Sequence, residues 1–243
     1  MTIAALLILG FGVLTAFAFG ATFALYRAIG GWQLVARLDA HGFWIYPALL
    51  LVPGAAIALS ADARALLEDV TIAPAGAAGV VVAAAAIALG VAQYRLDLLS
   101  AVLAKRAAAR RDGLLKLLDG REDALGLFRP PLVALVVMSV VVAFAEEVLW
   151  RGYLLAYFDT ELGWGAGATV ALCAISYGSV HYYFGLRNVL VKALHGAVWG
   201  VLVVTGAGLL AAALAHATFE LCVARGLRRA QTSLSGEVAH AAH

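Results

Sequence analysis

The chain has 243 residues, of which 64% are hydrophobic and 13% are charged, and its formal net charge is +2. A soluble domain carries about 25% charged residues, so the composition excludes an ordinary soluble domain, an intrinsically disordered chain and a nucleic-acid-binding domain. The two cysteines, Cys173 and Cys222, form no CxxC pair and cannot make a disulfide framework. The sequence therefore predicts an integral, multi-pass membrane protein whose surroundings are the lipid bilayer.

Apolar runs in the sequence give the predicted membrane spans. A helix that crosses the hydrocarbon core needs about 20 mostly apolar residues. The first run lacks a basic start and a small-residue cleavage site, which indicates a retained span rather than a signal peptide. We expect an all-α, polytopic transmembrane helix bundle of about seven spans. The predicted spans are 2–26, 43–60, 72–94, 132–158, 163–184, 189–204 and 207–223.

The charged residues between these runs predict the orientation, because cytoplasmic segments are enriched in Lys and Arg. The 95–129 segment holds eight basic residues, and its leucine spacing suggests an amphipathic segment on the inner leaflet. The 61–69 and 159–162 segments are acidic and should be external loops. This pattern predicts an external N-terminus, a cytoplasmic C-terminus and a place in the plasma (inner) membrane. The tail after Arg225 is expected to be disordered.

These features divide the chain into four parts. Residues 1–94 should form three N-terminal transmembrane helices, and 95–129 a cytoplasmic basic amphipathic linker. Residues 130–224 should form a core of four transmembrane helices, and 225–243 a polar cytoplasmic tail. Almost all ionisable groups that fall inside spans lie in the core.

An ionisable side chain near the centre of the bilayer costs several kcal/mol, so each one is a candidate functional residue. Glu146 and Glu147 lie near the middle of the fourth span. Glu147 and Arg151 are four residues apart, share a helix face and can form an ion pair. Glu146 is rotated about 100° away, so that pair does not neutralise it. The alternative is that all three side chains are only structural contacts between helices.

Three histidines complete the polar set. His181 lies near the end of the fifth span, and His216 lies in the seventh span one turn before Glu220. Taken singly, each is more typical of packing or hydrogen bonding, as we expect for His195. Together with the carboxylates, they could form a hydrated chamber in which a carboxylate is the general base for a water molecule. Two histidines and a glutamate also suit catalytic zinc, but no HExxH pattern is present, so we expect no metal or cofactor.

The order of these motifs resembles the CPBP family, which comprises type II CAAX prenyl endopeptidases and ABI-type intramembrane proteases. The sequence EEVLWR at 146–151 resembles the EExxxR motif of that family. Residues 177–181 resemble FxxxH, with Tyr177 in place of phenylalanine. Residues 216–220 align with HxxxN or HxxxD, with Glu220 at the last position. The resemblance covers residues 124–224.

The resemblance implies an all-helical intramembrane peptidase that requires no metal and whose last four helices form the catalytic core. Glu146 would activate water with the help of His181. Glu147 and Arg151 would hold the site together and contact the substrate. That substrate would be a membrane-associated protein or peptide, and prenyl specificity is not implied for bacterial relatives.

The resemblance also implies that His216 and residue 220 stabilise the tetrahedral oxyanion. Tyr177 for phenylalanine is a mild change, because both fill space beside the histidine. An ionised Glu220, however, only accepts hydrogen bonds, whereas an oxyanion stabiliser must donate one. We therefore expect Glu220 to be protonated; otherwise it has another role or the protein has lost peptidase activity.

Two other functions stay open on the sequence alone. One is a catalytically inactive membrane scaffold or chaperone of the same family, which Glu220 favours. The other is a metal-dependent intramembrane peptidase that uses His181, His216 and a glutamate. A transporter is less consistent with the sequence, because the acidic groups cluster in one half and no inverted repeat is visible.

Overall fold

The computed structural model describes residue 10 and residues 50–68, 70–108, 131–181 and 186–241. Every regular element in these ranges is a helix, which confirms the all-α prediction. The fourth helix continues through two π-helical segments, Val148–Leu154 and Tyr157–Glu161. The helices are α1 Leu50–Leu59, α2 Ala61–Glu68, α3 Gly76–Ala108, α4 Leu132–Glu147, α5 Ala166–Ser179, α6 Leu186–Val204 and α7 Leu209–Ala241.

Four stretches of helix within the described ranges are long and apolar enough to cross a membrane. They are Gly76–Leu103, Leu132–Glu161, Leu186–Val204 and Leu209–Gly226. The number rises to five if α1 and α2, which meet at 89°, form one broken span. Helix α5 has only 14 residues. The chain is thus an integral membrane protein, whereas the predicted first span lies outside the described residues and the count of seven stays a prediction.

Both predicted external loops are largely helical, and two other helices are longer than expected. The 159–162 segment is helical through Glu161. Residues 61–68 form the helix α2 rather than a loop, because the hydroxyl of Ser60 accepts the N–H of Ala63 and caps its first turn. Helix α3 continues through the first part of the predicted linker, where no proline or glycine ends it. Residues 225–241 continue α7 and are not disordered. The rest of the linker, from 109 to 129, lies outside the described residues, so the four-part division stays a prediction.

The bundle buries several large aromatic and charged side chains and leaves many aliphatic side chains exposed. Helix α5 packs on α6, and α7 packs on both α3 and α4. The largest buried side chains include Trp150, Trp199 and Arg151. Large aliphatic side chains such as Val80 and Val133 are more than two-thirds exposed. This arrangement suits a protein that faces lipid and encloses a polar centre.

The turn between α6 and α7 docks against the segment that precedes α3. The N–H groups of Leu209 and Leu210 donate to the carbonyl oxygens of Thr71 and Ile72, each at 2.8 Å. These bonds satisfy two of the N–H groups that the start of α7 leaves without helical partners. Gly208 permits the contact, because its φ is +93° and a Cβ there would lie 2.6 Å from the oxygen of Ile72.

This docking predicts different costs for two glycines in the same turn. Gly206 also has a positive φ, +84°, but a Cβ there would meet nothing within 4 Å. Gly206→Ala should therefore cost about 1–2 kcal/mol of backbone strain alone. Gly208→Ala should cost more, because it adds the overlap with Ile72 and weakens hydrogen bonds worth about 0.5–1.5 kcal/mol each. The free energy of unfolding in detergent measures the cost of each substitution. Equal costs for the two glycines would contradict the docking.

Candidate functional site

Glu146 and Glu147 are the last residues of α4, where the chain passes from α-helix to π-helix. A π-helical turn holds one more residue than an α-helical turn, and such turns are frequent at functional sites. Both carboxylates are buried, with 3% and 0% of the residue exposed. Both adjacent glutamates are thus enclosed by the bundle, although they lie about 100° apart around the helix.

Glu147 forms the predicted ion pair with Arg151. The Nη1 of Arg151 lies 3.0 Å from Oε1 of Glu147, and both side chains are fully buried. The guanidinium also lies over the rings of Tyr177, at 4.5 Å, and Trp199, at 5.3 Å. Gly196 makes room for it, since a Cβ there would be 2.5 Å from Nη2 of Arg151.

His216 of α7 connects the two glutamates. Its Nδ1 lies 2.8 Å from Oε1 of Glu147, and its Nε2 lies 3.4 Å from Oε2 of Glu146. The Nε2 is also 3.1 Å from the hydroxyl of Tyr177. The indole of Trp199 stacks on the imidazole, with ring centroids 4.0 Å apart. One histidine thus joins side chains from α4, the end of α5 and α6.

The partners of His216 determine where its protons lie. An ionised carboxylate can only accept, so Nδ1 donates its hydrogen to Glu147. In the neutral ring, Nε2 then accepts the hydroxyl hydrogen of Tyr177. In the charged ring, Nε2 becomes a second donor, directed at Tyr177 and Glu146. Both forms are compatible with the observed contacts.

His181 is held by the backbone of the tyrosine four residues before it. Its Nδ1 donates to the carbonyl oxygen of Tyr177 at 3.1 Å, and the two rings contact edge to face at 5.0 Å. This bond fixes the tautomer, so the lone pair of the neutral ring is on Nε2. The charges of Lys192 and Glu220 also act on His181. It therefore belongs to the same cluster as the other predicted residues.

Glu220 is part of an ion pair that the sequence analysis did not anticipate. Its Oε1 lies 2.7 Å from Nζ of Lys192 and 3.7 Å from Nε2 of His216. An ammonium group in hydrogen-bond contact stabilises the ionised carboxylate. The prediction of a protonated Glu220 is therefore wrong, and the side chain accepts hydrogen bonds.

The seven predicted site residues thus lie in one connected cluster. Glu147, Arg151 and Tyr177 are completely buried. They support their neighbours, and this burial does not favour the predicted substrate contact of Glu147 and Arg151. The catalytic roles of the cluster stay predictions. Its members are Glu146, Glu147, Arg151, Tyr177, His181, His216 and Glu220.

The sequence analysis missed Lys192 and Trp199, which contact this cluster, and Gln93, which contacts Trp199. The Nε1 of Trp199 donates to Oε1 of Gln93 at 2.9 Å, and both residues are buried. Gln93 lies on α3, so the N-terminal helices contribute more than a membrane setting. Gln93 and Lys192 could have been found, because each is a polar side chain inside an apolar run. Trp199 carries no such signal.

The donor set was also compared with the needs of a metal ion. No group of three or more His, Cys, Asp or Glu side chains in the described part of the chain is arranged to bind one. His181 and His216 both use Nδ1 to bond protein oxygens. The metal-free expectation stays a prediction, which a chelator can test.

Comparison with known families places this cluster in context. The family model described as type II CAAX prenyl endopeptidase Rce1-like matches residues 128–222. Residues 128–222 are thus similar to that family. The match confirms the resemblance predicted for 124–224, and it contains the whole seven-residue cluster but not Gln93. Searches of curated proteins and of solved structures found no match to the chain.

The first prediction from the site concerns the Glu147–Arg151 pair. Arg151→Met should cost about 3–5 kcal/mol of stability, because it leaves a buried carboxylate without its cation. A second pair provides the control: Arg187 lies 2.7 Å from Asp97, but both side chains are partly exposed. Arg187→Met should cost less than Arg151→Met, because water reaches the Asp97 carboxylate that it leaves. If both variants lose the same free energy of unfolding in detergent, burial does not determine how much each ion pair contributes to stability.

The second prediction concerns Gln93 and Trp199. Gln93→Leu should cost about 1–3 kcal/mol, because the indole N–H is left buried without an acceptor. Trp199→Phe removes that N–H and keeps an aromatic ring over His216. The double variant should therefore be more stable than the sum of the single losses predicts. Additive losses in the same unfolding experiment would mean that the hydrogen bond contributes nothing.

Proposed function

We propose that this protein is an intramembrane peptidase that hydrolyses a peptide bond in or near the membrane with a water molecule activated by Glu146. The observation that carries the proposal is the contact of Glu146 with His216 inside apolar helices, in a segment similar to the type II CAAX prenyl endopeptidase family. A carboxylate and an imidazole in reach of one site are the groups that general acid–base hydrolysis needs.

In the proposed reaction, the Glu146 carboxylate removes a proton from water while the water oxygen attacks the peptide carbonyl carbon. The lone pair on Nε2 of His181 accepts the other hydrogen of the water and orients it. Collapse of the tetrahedral intermediate breaks the C–N bond. Glu146 then passes its proton to the leaving nitrogen, so the carboxylate returns to its starting state.

His216 would carry charge in this reaction. Three carboxylates lie within 4 Å of its ring nitrogens, those of Glu146, Glu147 and Glu220. Two cations, Arg151 and Lys192, pair with two of these carboxylates. A protonated His216 brings the sum of these formal charges to zero. The Glu147–Arg151 pair would keep the ring in place, because it holds Nδ1 through a hydrogen bond.

The substrate would be a membrane-associated protein or peptide. The family description names prenylated CAAX sequences, so a farnesylated peptide is the natural first substrate to test. The excess of basic residues in 95–129 and after Glu220 supports a plasma-membrane protein with an external N-terminus and a cytoplasmic C-terminus.

An inactive scaffold or chaperone is the second candidate, and Glu220 is the observation that favours it. The ionised Glu220 cannot donate a hydrogen bond to an oxyanion. If no other group donates in its place, the cluster can bind a membrane protein without cleaving it. A metal-dependent peptidase is the third candidate.

The test uses the full chain in proteoliposomes with a quenched fluorescent CAAX peptide, in farnesylated and unprenylated forms. Glu146→Gln should lower the rate of cleavage by at least 10²-fold, as expected for a general base. Glu161→Gln is the matched control, because Glu161 is exposed at the end of the same helix. Equal activity of wild type and Glu146→Gln would disprove the proposed base.

Two further measurements separate the alternatives. Activity that a chelator removes and zinc restores would support the metal-dependent peptidase. If wild type cleaves neither peptide, the C-termini of membrane proteins from cells with wild type or Glu146→Gln are compared by proteomics. Identical C-termini would leave the scaffold as the function.

A further inference from the structure

Lys192 is a charged residue in a helix that is long and apolar enough to cross a membrane. It is the seventh residue of α6, and its side chain is only 12% exposed. Its Nζ is 2.7 Å from Oε1 of Glu220 and 4.2 Å from the centre of the Phe219 ring. An ion pair and a cation–π contact thus fix the position of the ammonium group.

The ammonium group lies beside the proposed hydrolytic centre. The same Glu220 oxygen that accepts from Lys192 lies 3.7 Å from Nε2 of His216. That nitrogen is in turn 3.4 Å from Oε2 of Glu146. The Lys192–Glu220 pair is also less buried than Glu146 and His216, because 26% of the Glu220 side chain is exposed. Lys192 therefore lies on the more exposed side of the buried carboxylates.

An inventory of hydrogen-bond donors distinguishes Lys192 from its neighbours. The three glutamates accept only. Arg151 is fully buried: its Nη1 donates to Glu147, and its Nε and Nη2, which have no hydrogen-bond partner, are enclosed by protein. The hydroxyl of Tyr177 is fully buried against His216, and the Nε2–H of a protonated His216 faces that hydroxyl and Glu146. Lys192 has three N–H donors, of which Glu220 needs one.

We propose that Lys192 is a catalytic residue that donates a hydrogen bond to the peptide carbonyl oxygen as it becomes an oxyanion. Glu220 is then a positioning residue, because it holds the ammonium group beside His216. This inference rests on the proposed peptidase function and deepens it. It also explains how a site with an ionised carboxylate at position 220 stabilises a developing negative charge.

A structural role is the competing explanation. In that case Lys192 only neutralises Glu220, and removing both charges together should be harmless. The double variant Lys192→Met/Glu220→Met removes the charges and the donor while keeping unbranched side chains of similar length. Glu220→Met alone removes the carboxylate and keeps the donor.

The experiment measures kcat and KM for the peptide that wild type cleaves, together with the melting temperature in detergent. The double variant should keep its melting temperature and lose about 10²–10³-fold in kcat, as when one oxyanion donor is removed. Glu220→Met should lose less kcat than the double variant, because the ammonium group remains although the carboxylate no longer holds it beside His216. An interaction made in the transition state lowers kcat, whereas ground-state binding changes KM.

Each outcome decides the proposal. A double variant with wild-type kcat overturns it and leaves Lys192 as a neutralising partner. A change confined to KM also overturns it, because the lysine then binds only the ground state. If wild type cleaves no substrate, the proposed function and this proposal fail together. Cleavage by wild type with an unaffected double variant makes this proposal fail alone.

A single substitution keeps the proposal testable if the double variant does not fold. Lys192→Gln retains an amide that can bond Glu220 but removes the positive charge. The probe is a phosphinic analogue of the cleaved peptide, whose tetrahedral anion resembles the oxyanion. It should bind Lys192→Gln at least 10²-fold more weakly than wild type. Equal binding would overturn the proposal without reference to turnover.

Discussion

The structure of the site depends on one imidazole that lies between two adjacent carboxylates. His216 bonds Glu147 through Nδ1 and faces Glu146 through Nε2, while Tyr177 and Trp199 fix the plane of the ring. Neither glutamate can move independently of the ring. Because burying each charge is costly without partners, the cluster is stable only when these helices are packed together.

The membrane makes this requirement stricter than it is in a soluble protein. The outer faces of the helices are aliphatic, and water does not solvate a charge that points toward lipid. The bundle therefore keeps Glu147 and Arg151 fully buried, and the Lys192–Glu220 pair is more exposed. Gly196 illustrates the packing that follows, since the guanidinium occupies the space of its missing side chain.

The sequence predicted those parts of the site that depend on local spacing. Glu147 and Arg151 are four residues apart on one helix, and the ion pair forms as expected. Contacts between helices were not predictable, because no periodicity specifies that Lys192 reaches Glu220 or that Gln93 reaches Trp199. The π-helical turn was also missed, and an ideal helical wheel therefore separated glutamates that share one partner.

The pairing of Lys192 with Glu220 changes the meaning of an unusual residue in a motif. Considered along one helix, a glutamate after His216 removes a donor and indicates lost activity. Across two helices, the same carboxylate accepts from an ammonium group with two N–H donors to spare, 2.7 Å away. A site is defined by the groups that meet in space, so the donor that one helix lacks is present on its neighbour.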